Sequence, residues 1–343
     1  MSPLPRQALA SAFLRRKARW KPLEYGFWIL ALGAAFALPS QQLLLSEIAI
    51  LALFAMSLDL IVGYAGILSL GHAAFFGVGA YAAGLLSLHL TAEPLTGLIL
   101  SGAIAGLLGL ATSYLVLRGS DLTKLMTTFG VSMLISEAAN QAAWLTGGAD
   151  GLSGILIDPI AGLFEFDLFG QTGYLYCLTV LFVALVIARR IVHAPFGLSL
   201  KAIKRNSRRA AMLGISPNRR IVVIYTLSAV YAGFAGALLT QTTSFVSPDV
   251  LAFHRSADVL LVLVLGGVGY LYGGVIGAVI FTVLRAWLSV VTPQYWMFWI
   301  GLVLVALVLV GRDRINPARL TAWVRTKTGR AAPSAAPLAK EEA

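Results

Sequence analysis

The stretch RRIVHAPFGLSLKAIKRNSRRAAMLGISPNRR, residues Arg189–Arg220, decides how this chain is organised. This basic segment carries nine arginine and lysine residues and no acid, and an apolar run lies on each side of it. Because positively charged loops resist translocation, a basic segment between two apolar runs is expected on the cytoplasmic side of a membrane. Within it, the pattern from Leu200 to Leu213 predicts a helix that Gly214 and Pro217 terminate.

The composition indicates a membrane protein. The 343 residues are 58% hydrophobic and only 12% charged, with a mean hydropathy of +0.83, whereas about a quarter of a soluble domain is charged. The net charge of +11 comes from the first 21 residues, the basic segment and the tail after Gly311, a distribution that indicates membrane topology rather than nucleic-acid binding. The single cysteine, Cys177, excludes an internal disulfide and a cysteine metal site.

The apolar runs predict an all-α transmembrane bundle of about ten crossings, with eight or nine left open, and both termini in the cytoplasm. We expect a basic tail at 1–21, a transmembrane domain at 22–311 that contains a cytoplasmic loop at 189–220, and a largely disordered cytoplasmic tail at 312–343. The predicted crossings are Tyr25–Leu38, Leu43–Val62, Gly66–Leu88, Leu95–Leu117, Leu122–Leu145, Tyr174–Ala188, Ile221–Leu239, Val259–Gly267, Tyr272–Val291 and Tyr295–Val310.

A glycine-rich stretch from Gly63 to Gly84 has two interpretations. Its small residues allow helices to approach closely in lipid, or they mark a broken helix whose free backbone groups face a water-filled pathway. His72 would lie at that break, either as a structural hydrogen-bonding residue or in contact with a solute. The candidate pathway or packing residues of this stretch are Gly66, Ser69, Gly71, His72, Phe75, Gly77 and Gly79.

Two further stretches contain candidates. The crossing 122–145 is polar, and its Thr127 and Thr128 either line a pathway or bond to the helix backbone. The crossing near 257–267 is too short for a full span and is expected to be half a helix that Gly266 and Gly267 interrupt. Asp258 is expected to cap the start of a helix there.

No enzyme signature is present in the sequence. The four histidines have no metal-ligand spacing, and neither a serine nucleophile motif nor a Gly-Lys-Ser or Gly-Lys-Thr phosphate loop occurs. The basic segment is either a solvated face or a docking element for a cytoplasmic partner.

Three stretches resemble the permease subunits of high-affinity branched-chain amino acid ABC transporters, the LivM type: Gly63–Gly77, Ala202–Ile215 and Val264–Gly269. The resemblance implies a permease in a bacterial inner membrane that pairs with a second, related permease, two ABC ATPase subunits and a periplasmic substrate-binding protein, and that contacts lipid but no nucleic acid. It implies no cofactor of its own, since ATP is bound by a separate subunit. The residues that it assigns to ATPase coupling are Ala202, Ile203, Lys204, Arg205, Asn206, Ala210, Leu213, Gly214 and Ile215.

The chain departs from the family pattern at three places. Arg205 stands where the family usually has an acid, Asp59 where it often has asparagine, and Lys124 in a segment that is commonly aromatic. The change at Arg205 affects an ion pair with the ATPase. The other two lie near expected pathway positions, so the solute is either a branched-chain amino acid or another amino-acid-like solute, or else urea, an amide or an aromatic acid. A different class, an ion-coupled secondary transporter, would need ion ligands within the membrane, for which Asp59, Glu137 and Asp258 are candidates.

Overall fold

The structure is a computed structural model that describes residues 22–117, 119–167 and 170–310. In this part of the chain every regular element is a helix, apart from two isolated antiparallel bridges, so the predicted all-α class is confirmed. The tails predicted at 1–21 and 312–343 lie outside the described residues. The helices are α1 (Pro22–Ala37), α2 (Gln42–Asp59), α3 (His72–His89), α4 (Pro94–Val116), α5 (Asp121–Gln141), α6 (Ala143–Thr146), α7 (Gln171–His193), α8 (Pro195–Arg205), α9 (Ser207–Met212), α10 (Pro217–Thr243), α11 (Phe253–Gly266), α12 (Leu271–Val291) and α13 (Trp296–Val310).

Five helices of the described ranges are long and apolar enough to cross a membrane. They are α2 with its flanking turns (Pro39–Ala65), α4, α7, α10 and α12. A chain with several such helices is a multi-pass membrane protein. The other helices at predicted crossings are shorter or more polar, and the count of about ten stays a prediction.

Helix α10 lies at the centre of the bundle, packed against α4, α3 and α2. Small residues bring its backbone into direct contact with α3. A Cβ atom on Gly79 would overlap the backbone of Gly233, and one on Gly236 would overlap the Phe76 carbonyl. In lipid, where apolar side chains gain little by leaving the solvent, this close approach is a main source of helix association.

The polypeptide between α2 and α3 is irregular. Helix α2 continues as a π-helical turn, Leu60–Ala65, and residues 66–71 are not helical. Gly66 follows the turn with a φ of 76°, a left-handed conformation that glycine adopts without steric cost. The crossing predicted to begin at Gly66 is therefore corrected, because its helix begins at His72.

Helix α11 is only 14 residues long, shorter than the roughly 20 residues of a full span. An irregular stretch, 244–252, precedes it and contains a single 3₁₀ turn, Pro248–Leu251. The end of α11 lies against α12, where a Cβ atom on Gly266 would overlap the carbonyl of Gly273. Asp258 lies in the second turn of α11, so the prediction that it caps a helix start is wrong.

The helix predicted from Leu200 to Leu213 is two helices, α8 and α9. Asn206 separates them with an extended backbone, and its side chain accepts a hydrogen bond from the Arg209 N–H at 2.9 Å. An asparagine that caps the next helix in this way ends the preceding one. Gly214, with a φ of 80°, follows α9 and ends it as predicted.

The chain divides into two compact units within α12. The first reaches Val283 and holds all the candidate residues. The second begins at Leu284 and comprises, among the described residues, the end of α12, a short turn and α13.

Candidate functional site

Lys204 joins the basic segment to the membrane part of the chain. Its Nζ atom, on the last turn of α8, donates to the carbonyl of Gly63 at 2.7 Å and lies 3.4 Å from that of Val62. Both carbonyls belong to the π turn that ends α2, where the regular hydrogen-bond pattern of a helix is lost. The ammonium group of Lys201 lies 5.2 Å from the ring centroid of Tyr64 in the same turn. Two lysines of α8 therefore contact the end of α2.

Asp59 joins the same turn to the glycine-rich connection between α11 and α12. Its carboxylate is fully buried, and Oδ1 accepts a hydrogen bond from the Gly269 N–H at 2.7 Å. Gly63 leaves room for this contact, since a Cβ there would overlap Asp59 Oδ1. The π turn thus contacts the basic segment on one side and the α11–α12 connection on the other.

The nine predicted coupling residues range from buried to exposed. Ile203 and Ala210 are buried, with 5% and 2% exposure, and they anchor α8 and α9 to the bundle. Lys204, Arg205, Asn206, Leu213 and Gly214 are exposed, whereas Ala202 and Ile215 are half-buried. Met212, which the sequence did not single out, is 85% exposed and lies next to Leu213 at 75%. An exposed apolar pair therefore lies at the end of α9, the helix that also carries the exposed Arg208 and Arg209.

The start of α3 is held by contacts to α5 and α11. The Leu70 N–H donates to Thr128 Oγ1 at 3.3 Å, and the Ala73 N–H donates to Ser256 Oγ at 2.9 Å. Gly71 lies between them, where a Cβ would overlap the Thr128 carbonyl. Hydroxyl groups from neighbouring helices thus satisfy backbone donors that the helix start leaves open.

His72 is fully buried and connects three helices. Its Nε2 lies 2.8 Å from Ser228 Oγ on α10, and that hydroxyl donates to the carbonyl of Ser57 on α2 at 2.5 Å. Because the serine proton is used towards Ser57, Nε2 must carry the proton of its bond to Ser228. The ring also stacks against Phe54 at a centroid distance of 6.3 Å. These contacts are those expected of a structural hydrogen-bonding residue, and a contact of His72 with a solute stays a prediction.

The remaining pathway or packing candidates occupy different environments. Phe75 is buried against the Tyr225 ring, and Gly77 lies against Leu251. Thr127 is half-buried, and its hydroxyl bonds to the backbone of its own helix. Buried positions in the bundle are also found for Ser69, Gly71, Gly79, Thr128, Gly266 and Gly267, whereas Gly66 is exposed. Their role in a pathway stays a prediction.

The three acids considered for ion coupling lie on different helices. Asp59 binds a backbone N–H, and Glu137 is exposed on α5 and accepts from Gln141 at 2.7 Å. Asp258 is half-buried in α11. Over the ranges that the structure describes, no group of three or more His, Cys, Asp or Glu residues could hold a metal ion.

A charged cluster that the sequence analysis missed lies between α10 and α11. Asp249 accepts from Arg255 Nη2 at 2.9 Å and from Arg255 Nε at 3.2 Å, and its other oxygen lies 3.2 Å from His254 Nε2. The only sequence signal was the polar stretch between two apolar runs, because the depth of these residues depends on tertiary contacts.

An apolar cavity of about 530 Å³ borders the 3₁₀ turn before α11 through Leu251, whereas Asp249, His254 and Arg255 do not line it. It is formed mainly by α3 and α5, and Leu251, which belongs to the same 3₁₀ turn as Asp249, is part of its wall. Tyr81 also lines it, and the buried hydroxyl of Tyr81 has no hydrogen-bond partner in the described part of the chain.

The comparison with known families agrees with this arrangement. A family model described as "Branched-chain amino acid transport system / permease component" matches residues 42–308. The chain belongs to this permease family. The LivM-type resemblance inferred from three short stretches is thus confirmed over nearly the whole described part of the permease chain.

Among curated relatives of this permease chain is the high-affinity branched-chain amino acid transport system permease protein LivM of Salmonella typhimurium. It is 32% identical over 257 residues, which cover 67% of this chain and 59% of the relative. LivM of Escherichia coli is 29% identical over 252 residues with the same coverage, and the ribose import permease protein RbsC of Bacillus subtilis is 30% identical over 173 residues, 46% of this chain and 53% of RbsC. The chain thus spans 59% of the length of its LivM relatives. No solved structure matches it.

Proposed function

We propose that this chain is the membrane permease subunit of an ATP-driven ABC importer for branched-chain amino acids or other small amino-acid-like solutes, located in a bacterial inner membrane. Family membership and the relatives named for branched-chain amino acid transport support this function. The observation that carries it is the contact of Lys204 with Gly63, through which the basic segment touches an irregular turn at the end of a membrane-length helix.

The proposed partners are those that membership of the permease family implies. Two ABC ATPase subunits supply the energy, and the exposed apolar pair at the end of α9, Met212 and Leu213, is the surface offered to one of them. A second, related permease completes the membrane pathway, and a periplasmic binding protein delivers the solute. ATP is bound by the ATPase subunits, in keeping with the missing Gly-Lys-Ser or Gly-Lys-Thr loop in this sequence.

The proposed topology has ten crossings and cytoplasmic termini. The basic segment lies inside, and the loop 147–170, which holds four acids and no base, lies outside. Residues 244–266 together form the eighth crossing, because α11 is too short to cross alone.

In the proposed mechanism, ATP binding brings the two ATPases together and moves the basic segments that are docked on them. Lys204 passes this movement to the π turn, and Asp59 passes it to the α11–α12 connection. The permease pair then changes the side of the membrane to which its pathway opens.

Uptake into proteoliposomes tests the function. The full complex, with ATP inside and loaded binding protein outside, should accumulate leucine when ionophores have abolished proton and sodium gradients. A matched preparation with an inactive ATPase should accumulate none. Replacing leucine by urea, acetamide or benzoate distinguishes the other solute classes. Leucine uptake that follows an ion gradient and persists without ATPase subunits would refute the proposal in favour of a secondary transporter.

A further inference from the structure

The cluster of Asp249, His254 and Arg255 lies at the middle depth of the bundle. Ser228 is near the midpoint of α10, a helix of membrane length, and it is hydrogen-bonded to His72. The next residue after His72 bonds to Ser256 on the first turn of α11. Residues 254 and 255 directly precede Ser256, so His254 and Arg255 lie within one helical turn of this level, and Asp249 is bonded to both.

Charged groups at this depth need a polar environment. The side chains of His254, Asp249 and Arg255 are 56%, 47% and 35% exposed in this chain. Exposure to lipid at the bilayer centre would be strongly unfavourable for such groups, and intramembrane charges generally face a water-filled cavity or a neighbouring subunit. The cluster therefore faces the solute pathway or the second permease that borders it.

The two opposite charges match the two ends of an amino acid. A carboxylate binds an ammonium group by charge-assisted hydrogen bonds, and the planar guanidinium of arginine binds a carboxylate through two parallel N–H groups. In the absence of solute, Asp249 and Arg255 satisfy each other. A zwitterion inserted between them replaces this one pair by two pairs without leaving either charge alone.

The neighbouring cavity suits the remainder of such a solute. Its walls are mostly aliphatic and aromatic, with Val78, Leu85 and Ile135 among them, and Leu251 connects it to the turn that holds Asp249. Its polar lining residues are His89, Thr146 and Tyr81, and the buried hydroxyl of Tyr81 has no hydrogen-bond partner in the described part of the chain.

We propose that Asp249 and Arg255 form an intramembrane binding site for the ammonium and carboxylate groups of a zwitterionic amino acid whose apolar side chain enters the cavity beside Leu251. This site rests on the proposed transport function and specifies where and how the permease holds its solute. His254 supports the Asp249 carboxylate from the side opposite Arg255.

Photo-leucine, the zwitterionic diazirine analogue of leucine, is the probe for this site. The assembled permease pair with its ATPases is placed in lipid nanodiscs without the binding protein, irradiated with photo-leucine, and the labelled peptides are mapped by mass spectrometry. We expect the label on residues 245–256 and on the cavity walls of α3 and α5. Excess leucine should compete with it, whereas 4-methylpentanoate and isopentylamine, which carry one charge each, should compete at least about tenfold less well.

Substitutions separate binding from structural support. Asp249→Asn and Arg255→Gln should each lower the labelling about tenfold or more, and Asp249→Glu should restore part of it. The control is Glu165, an exposed acid of the loop 147–170, where Glu165→Gln should leave the labelling unchanged. Thermal unfolding of each variant shows whether it has folded.

Three results would overturn the site: label confined to other helices, labelling of Asp249→Asn and Arg255→Gln as strong as that of the unsubstituted chain, or competition by the singly charged analogues as strong as that by leucine. ATP-driven leucine uptake is measured on the same complex. If uptake persists while one of these results is obtained, the proposed transport function stands and only the proposed binding site is rejected. Absence of both uptake and labelling rejects both.

Discussion

Replacement of Lys204 by methionine is the sharpest test of how ATP hydrolysis reaches the membrane part. Methionine has a similar length and keeps the apolar stem of the side chain, which packs close to Gly66, but it has no ammonium group to donate to the carbonyl of Gly63. The bond lost is charge-assisted, with a length of 2.7 Å. Such bonds contribute about 1.5–3 kcal/mol, and the lower value applies to a residue that solvent reaches.

A loss of about 1.5 kcal/mol corresponds to roughly a tenfold change in an equilibrium between the attached and detached states of α8. The assay measures leucine uptake and ATP hydrolysis together in proteoliposomes of the full complex. We expect the number of solute molecules taken up per ATP to fall severalfold to tenfold in Lys204→Met, while ATP hydrolysis continues. Lys204→Arg, which keeps a charged donor, should recover most of the ratio.

An unchanged ratio in Lys204→Met would refute the reasoning, since the contact would then transmit nothing. A variant that loses uptake and hydrolysis in parallel, with a lower unfolding temperature, would show that the bond only stabilises the fold. A purely steric role of the lysine stem would leave the ratio unchanged in Lys204→Met, because methionine keeps that stem.

Three further substitutions test other parts of the structure. Gly79→Ala should destabilise the chain by about 1–3 kcal/mol because its Cβ overlaps the backbone of α10, whereas Gly33→Ala, with open space around it, should not, and thermal unfolding in detergent compares the two. His72→Phe should cost about 1–3 kcal/mol because it leaves the Ser228 hydroxyl without its donor, and a change in relative uptake rates for leucine and valine would argue against a purely structural role. Gly214→Ala should lower the free energy of unfolding by about 1 kcal/mol, because Gly214 has a left-handed backbone conformation. The number of solute molecules taken up per ATP should also fall, and an unchanged number would contradict a role for this turn in docking.

The sequence predicted the large features of this fold because those features depend on composition. Apolar runs and basic loops gave the all-helical class and the approximate position of most helices. The short length of α11 was also predictable, since the run before Gly266 is too brief for a span. The family was predictable because the stretch 63–77 and the basic segment occur together in this sequence.

Two predictions of where helices begin and end were wrong because of local hydrogen bonds and turns. Leu200–Leu213 has the composition of one helix, but Asn206 bonds to the Arg209 N–H and so begins a second helix. Asp258 resembles a helix cap in sequence, but α11 already begins at Phe253, after the 3₁₀ turn Pro248–Leu251. In both cases a single side chain or turn decides where a helix starts.

The charged cluster was missed for a different reason. Asp249 and Arg255 are six positions apart in a polar stretch that looks like an ordinary outer loop. Only the bond between Ala73 and Ser256 and the position of Leu251 against Gly77 place this stretch deep in the bundle. The depth of a residue in the bundle depends on tertiary contacts, which cannot be inferred from a single sequence.

The structure shows that two departures from the family pattern, Asp59 and Arg205, have different consequences. Asp59 is buried and uses one oxygen to accept the Gly269 N–H. An asparagine side chain has an equivalent oxygen, so either residue can hold the α11–α12 connection, and the change by itself gives no reason to expect another solute. Arg205 is exposed on the basic segment, where replacing an acid by a base reverses the charge offered to a partner. The ATPase that docks here should therefore carry an acid opposite Arg205, and a charge-reversal pair, Arg205→Glu with the matching basic substitution in the ATPase, should restore the coupling that either change alone reduces.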